Sequence, residues 1–211
     1  MSPARDPEQW TPEAYLAFER RSDMKHELID GRIYAMSGAS RAHAALSARL
    51  SGILDHQLRG RKCRAFSSDL RVKVPATGIY TYPDLSVVCG RVELEDERAD
   101  TLLNPTLLAE ILSPSTQAYD RGAKFRHYQS IDALQDYLLV SQDLPRLELF
   151  SRTDDGRWIY SVADGLAGRL ELPSVGVTVN LAELYDALDW AEGVGPDGTT
   201  GRTHQPSVDG G

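Results

Sequence analysis

Apolar residues recur along this chain with two periods, and each switch between them predicts a change of element. Ala14, Tyr15 and Phe18 fall at helical spacing behind Thr11-Pro12-Glu13, which has the form of an N-cap, a proline in the first turn and an early acid, so a short helix is predicted first. Lys25-His-Glu-Leu-Ile29 and Arg32-Ile-Tyr-Ala-Met36 then flank Asp30-Gly31, a two-residue turn whose twist suits a tight hairpin. Leu46, Leu50, Ile53, Leu54 and Leu58 form a stripe ending at Gly60, which predicts a helix over 41–59 packed on a sheet. Short β-rich segments follow at 63–66, 70–74 and 85–89, with Pro75-Ala-Thr-Gly78 as a turn between the second and third. Thr106-Leu-Leu-Ala-Glu-Ile-Leu112 is nearly all apolar, as a strand buried on both faces would be, and one charge, Glu110, interrupts it. A helix over 115–129 and a strand over 136–140 complete a strand, helix, strand unit, which implies a crossover within one sheet. From Leu147 to Val179 the pattern is hairpin-like with Asp155-Gly156 as one turn. Asn180, with Glu183 at the capping-box position, should cap a helix facing inward through Leu181, Leu184, Tyr185 and Leu188.

These elements define an α/β protein, and the length sets its organisation. With 211 residues, 41% of them hydrophobic, one domain with a sizeable core is expected. It divides into a helical lead-in over 1–23, the domain proper over 24–191 and a Gly/Pro-rich tail over 192–211 that is expected to be disordered. No internal repeat occurs. Neither a signal peptide nor an apolar run of 18 or more residues is present, so a soluble cytoplasmic protein with no membrane contact is expected. Cys63 and Cys89 belong to no Cys-x-x-Cys pair, and they are read as small buried apolar residues with neither a disulfide framework nor a zinc site.

Charge narrows the choice of partners. The formal net charge of −8 counts against simple electrostatic capture of nucleic acid or an anionic membrane. Part of it is local, since Glu93-Leu-Glu-Asp-Glu-Arg-Ala-Asp100 carries five acids and reads as a solvated loop. A metal site also needs clustered carboxylates, which repel phosphate until a cation arrives. Arg59, Arg61, Lys62 and Arg64 form the one dense basic cluster, at a helix end.

Tyr82-Pro83-Asp84 stands at the mouth of a strand, and Glu110 lies inside the next buried one. A carboxylate there is costly to desolvate unless it is paired or bound to a cation. If those strands are neighbours, Asp84 and Glu110 are placed to share a hard cation such as Mg²⁺, with the backbone carbonyl of Ile111 as third ligand and waters in the other positions. The competing reading makes Asp84 a turn residue and Glu110 a structural ion-pair partner. Gly193-Val-Gly195-Pro-Asp-Gly198 satisfies Gly-x-Gly-x-x-Gly but follows a helix, not a strand, so it carries no dinucleotide site. No Gly-x-Ser-x-Gly elbow and no P-loop occur.

Pro83-Asp84, then Glu110-Ile-Leu-Ser-Pro-Ser-Thr116, then Asp120-x-x-x-Lys124-x-x-x-Tyr128 resemble the Uma-type family of bacterial proteins, a branch of the PD-(D/E)XK nuclease superfamily labelled as restriction endonucleases. The resemblance runs from about Met24 to Leu188 and includes His26-Glu-Leu-Ile-Asp-Gly31, the helix beginning near His43, Ser67-Ser-Asp69 and Pro83-Asp-Leu-Ser-Val-Val88. It implies a restriction-endonuclease-like mixed central sheet flanked by helices, with an additional β-hairpin region. It further implies Asp84 and Glu110 as ligands of Mg²⁺ or Mn²⁺, Glu27 as a further acid in the site, and Lys124 as the catalytic ammonium. Leu112 stands where the superfamily's Glu-x-Lys motif places its lysine, so the charge must come from Lys124 on the following helix. His43, Ser113, Ser115 and Tyr128 are candidates for substrate contact or for support behind the acids, each with a packing or capping role as the alternative.

The function implied is a metal-dependent endonuclease hydrolysing phosphodiester bonds in DNA, working as a homodimer where both strands are cut. The alternative is a catalytically silent nuclease-fold binding or interaction protein, because fold does not establish activity and no basic stripe marks a nucleic-acid track.

Overall fold

The computed structural model describes residues 9–36, 38–186 and 188. The first eight residues and the tail from residue 189, with its glycine string, lie outside the described residues.

The chain begins with α1 (Pro12–Glu19), capped by the Thr11 side chain, which accepts from the Ala14 N–H. β1 (His26–Ile29) and β2 (Arg32–Ala35) form the first hairpin, and Asp30 and Gly31 both take positive φ, 49° and 75°, as a type I′ turn requires. α2 (Arg41–Leu58) follows behind the N-cap Ser40. Next come β3 (Cys63–Ser67), β4 (Arg71–Val74), β5 (Ile79–Thr81), β6 (Leu85–Cys89), β7 (Thr101–Leu102) and β8 (Leu107–Leu112). The predicted second helix of the core is three pieces in series: α3 (Gln117–Tyr119), a π-helical turn (Asp120–Lys124) and α4 (Phe125–Tyr128). β9 (Asp136–Ser141), β10 (Arg146–Arg152), β11 (Trp158–Asp164), β12 (Arg169–Leu172), β13 (Val177–Asn180) and α5 (Leu181–Tyr185) complete it.

A six-stranded mixed sheet runs in the order β11-β10-β9-β8-β6-β3. Its one parallel pair, β8 with β9, is the predicted crossover. A second sheet, β2-β1-β5-β4-β7, packs beside it, and β12-β13 is a separate hairpin. Because strand side chains alternate, β8 sends Leu107, Ala109 and Ile111 into a core shared with the Leu46, Leu50, Ile53 and Leu54 stripe of α2. Leu108 and Leu112 face a second core made with Val72, Val74, Phe125, Tyr128 and Tyr137. Each fully buried leucine in these layers contributes roughly 1.5–3 kcal/mol by leaving water. The alternation also points Glu110, between Leu108 and Leu112, toward the π-helical turn.

Several expectations are corrected. Cys63 and Cys89 are not two independent apolar residues: they face each other across β3 and β6 and form a disulfide, with Cα atoms 4.0 Å apart. Residues 26 apart give no hint of this pairing until the strand register is set. The acidic loop is only partly solvated. Tyr80 donates to Glu95 at 2.7 Å, Lys73 pairs with the same oxygen, and Arg20 binds Asp96 and Asp100 at 2.7 and 2.8 Å, so the loop is strapped to α1 and β4. Asn180 holds the N-cap position of α5 without a side-chain cap hydrogen bond. Between the predicted 70–74 and 85–89 strands lies β5, Ile79-Tyr-Thr81, a strand too short for its pattern to register.

Candidate active site

The site forms where the two sheets meet the π-helical turn. Glu110, in the middle of β8, is 5% exposed. Its Oε1 lies 2.8 Å from Lys124 Nζ and accepts a hydrogen bond from the Tyr128 hydroxyl at 2.9 Å. Glu27, on β1, accepts from the Tyr82 N–H at 3.2 Å and stands 3.5 Å from the same ammonium. Asp120, one helical step before Lys124, is 3.7 Å from it. Three carboxylates therefore lie within 4 Å of one buried lysine.

Asp84 sits just ahead of β6, whose antiparallel pairing sets Leu85 opposite Ala109. That register brings Asp84 to the Glu110 end of β8, where its Oδ2 accepts from the Ile111 N–H at 2.7 Å. His43, in the first turn of α2, places Nε2 at 3.2 Å from the same oxygen, and its Nδ1 is buried without a partner among the described residues. Tyr128 also shares a hydrogen bond with Thr81 Oγ1 at 2.9 Å, which ties α4 to β5. Ser113 is engaged within its own turn: its Oγ meets Ser115 Oγ at 3.0 Å and Thr116 Oγ1 at 2.9 Å, and it accepts from the Thr116 N–H at 3.2 Å. Ser113 and Ser115 thus build the strand-to-helix turn. Glu27, Asp84, Glu110, Lys124, His43 and Tyr128 come together, and Ile111 joins them through its N–H.

Asp120, quoted only as a motif position in the sequence, is a full member of the cluster. The signal available for it was its spacing, four residues before Lys124. Thr81 carried none, because only the tertiary fold brings β5 to the Tyr128 hydroxyl that bonds Glu110.

The electrostatics reflect carboxylates outnumbering cations. Burial pushes the Glu110 carboxyl well above the ordinary range, with Asp120 and Asp84 adding to it and Lys124 opposing it. Burial likewise raises Asp120, against the pull of Lys124. For Lys124, burial works against the charge, but Glu110, Glu27, Tyr128 and Asp120 together overcome it and hold the ammonium well above the ordinary lysine range. The Tyr128 phenol is raised by burial and by Glu110, so it stays a neutral donor. His43 is raised by its hydrogen bond to Asp84, against burial.

Among the described residues, no group of three or more His, Cys, Asp or Glu side chains is arranged to hold a metal ion. The donors present are nonetheless hard oxygens with an unbalanced negative charge, which suits a hard cation that keeps much of its water. Asp84 and Glu110 would supply two carboxylates to such an ion, and the chemistry of this donor set fits it.

The mixed sheets flanked by few helices define a nuclease-like α/β fold. A solved structure from Anabaena variabilis, described as a "putative nuclease belonging to DUF820", superposes with a TM-score of 0.69 at 20% identity, covering 84% of this chain and 98% of that one. The profile of the Uma2 family, described as "Putative restriction endonuclease", matches residues 12–182, and the chain belongs to that family. Two uncharacterized proteins of Synechocystis sp. are similar along most of their length. One is 42% identical over 190 residues, 89% of this chain and 97% of its own. The other is 33% identical over 161 residues, 76% of this chain and 91% of its own.

Proposed function

We propose that this protein is a metal-dependent endonuclease that hydrolyses phosphodiester bonds in DNA. The observation that carries the reading is the buried Glu110, held 2.8 Å from Lys124 in a cluster with more carboxylates than cations. Family membership and the likeness in fold to a protein described as a nuclease support it.

Asp84 and Glu110 would hold Mg²⁺ or Mn²⁺, with the Ile111 carbonyl as a third ligand and Glu27 beside them. Such an ion, when bound, lowers the pKa of a water and offsets the charge that grows on phosphoryl oxygens. The chain's own groups prepare the site. The Ile111 N–H fixes one oxygen of Asp84, and Tyr128 fixes one oxygen of Glu110. Lys124 supplies a permanent positive charge for the attacking water or the anionic transition state. In this reading the protein acts in the cytoplasm and as a homodimer, an assembly that gives one site to each strand of a duplex. Among the described residues no helix is long and apolar enough to cross a membrane.

The test is cleavage of supercoiled plasmid with Mg²⁺ or Mn²⁺ by wild type, Asp84→Ala, Glu110→Gln and Lys124→Ala, with Mn²⁺ binding followed by calorimetry. Cleavage and metal affinity should both be lost in the two acid variants, and cleavage alone in Lys124→Ala. Wild type that binds DNA but leaves a broad set of single- and double-stranded substrates intact would establish the silent binding protein instead.

A further inference from the structure

The β1–β2 hairpin carries the wall of the candidate site out to solvent. Residues directly opposite in an antiparallel pair send their side chains to the same face of the sheet, and so do alternate residues along each strand. Glu27 stands opposite Tyr34, and Ile29 opposite Arg32. On the other side of β1, Leu28 stands opposite Tyr80, which sets Thr81 on the Glu27 face. The packing agrees. Leu28, Tyr80 and Ile33 pack with Tyr15 and Leu16 of α1, whereas Ile29 and Ile79 join the core that contains Tyr128. One face of this sheet therefore bears, strand by strand, Thr81 bonded to Tyr128, then Glu27 beside Lys124, then Tyr34 and Arg32.

Exposure rises along that row. The Glu27 side chain is 13% exposed, and Tyr34, on the edge strand β2, is 49% exposed. Arg32 is exposed as well and forms no ion pair among the described residues. We infer that this edge seats the nucleotide beside the scissile phosphate, with the Tyr34 ring stacked on its base and the Arg32 guanidinium on its backbone phosphate. This rests on the nuclease reading. Lys124 already has Glu110, Glu27 and Asp120 around it, so a polyanionic strand needs positive charge from outside the cluster. Arg32 brings a charge that no carboxylate among the described residues holds. Every base has a π-face, so an open aromatic ring beside the acids gives a hold that tolerates any sequence.

Binding of a short fluorescein-labelled single strand in Ca²⁺, followed by anisotropy, tests the seat. Tyr34→Ala should weaken binding roughly five- to hundredfold, the effect of one lost base stack, and Tyr34→Phe, which keeps the ring, should restore most of it. An abasic strand of the same length should bind Tyr34→Ala and wild type equally, which a loss of folding would not produce. Arg32→Ala should lower the slope of log affinity against log salt by about 0.7, the share of one phosphate on a single strand. Equal affinity of Tyr34→Ala and wild type for the base-bearing strand would overturn this inference, and continued plasmid cleavage would then leave the nuclease reading intact. A changed sedimentation mass in Tyr34→Ala with binding unaltered would also overturn it, by giving the edge to a second copy of the chain. Binding that depends on Tyr34 without any cleavage would keep the nucleotide seat and remove the hydrolysis. A wild type that neither binds nor cleaves would sink both together.

Discussion

Lys124→Met tests the electrostatic account of the site most directly. The Lys124 and Glu110 side chains are only 7% and 6% exposed, so removing the ammonium leaves a carboxylate that water cannot reach. Breaking a buried pair from one side costs about 3–5 kcal/mol, and methionine keeps the bulk of the lysine stem so that little of this is packing. For a domain of this size that is a fall of roughly 6–20 °C in Tm. The cost must depend on pH. Glu110 already has a raised pKa, from burial first and then Asp120 and Asp84, with Lys124 opposing. A raised acid favours the folded state while protonated, below its ordinary value, and that contribution is lost as pH rises through the folded pKa. Removing Lys124 lifts the folded value further, so the deficit should be small near pH 5 and should widen toward pH 8. Lys124 itself stays charged across this range and adds no slope of its own. Urea unfolding of wild type, Lys124→Met and the double variant Glu110→Gln/Lys124→Met at several pH values measures it. The double variant should recover most of the loss, because its substituted amide is neutral and can still accept from Tyr128. A single variant as stable as wild type at pH 8, or a deficit equal at pH 5 and pH 8, would refute the reasoning.

Two further outcomes follow from the core. The Cys63–Cys89 bridge closes a loop with a sequence separation of 26, and its removal in Cys63→Ser/Cys89→Ser should cost about 3.5 kcal/mol by the loop-closure relation. Thiol titration of unreduced, denatured wild type should find no free cysteine, and finding two would reject the pairing. Asp136, 1% exposed at the start of β9, accepts from Ser151 Oγ at 2.6 Å and from the Ser174 N–H and Oγ at 3.0 and 2.5 Å. Asp136→Ala should therefore lose roughly 3 kcal/mol in urea unfolding with metal affinity unchanged, and a change in affinity would contradict its purely structural place.

What the linear pattern determined is local: the Asp30-Gly31 turn, the α2 stripe, the doubly buried strand around Glu110 and the cap at Thr11. Each depends on residues a few positions apart, whose periodicity and turn chemistry act before any long-range contact forms. The motif carrying Asp84, Glu110 and Lys124 was legible for the same reason, since its order along the chain is a property of the chain.

What the sequence left open was which distant segments meet. Cys63 finds Cys89 only because β3 pairs with β6 in one register, and the acidic loop becomes a strap only because Arg20 and Lys73 arrive beside it. Asp120 and Thr81 joined the site in the same way. The physical reason is that burial and pairing energies belong to the assembled packing: a carboxylate 5% exposed beside an ammonium is a different chemical group from the same carboxylate in water.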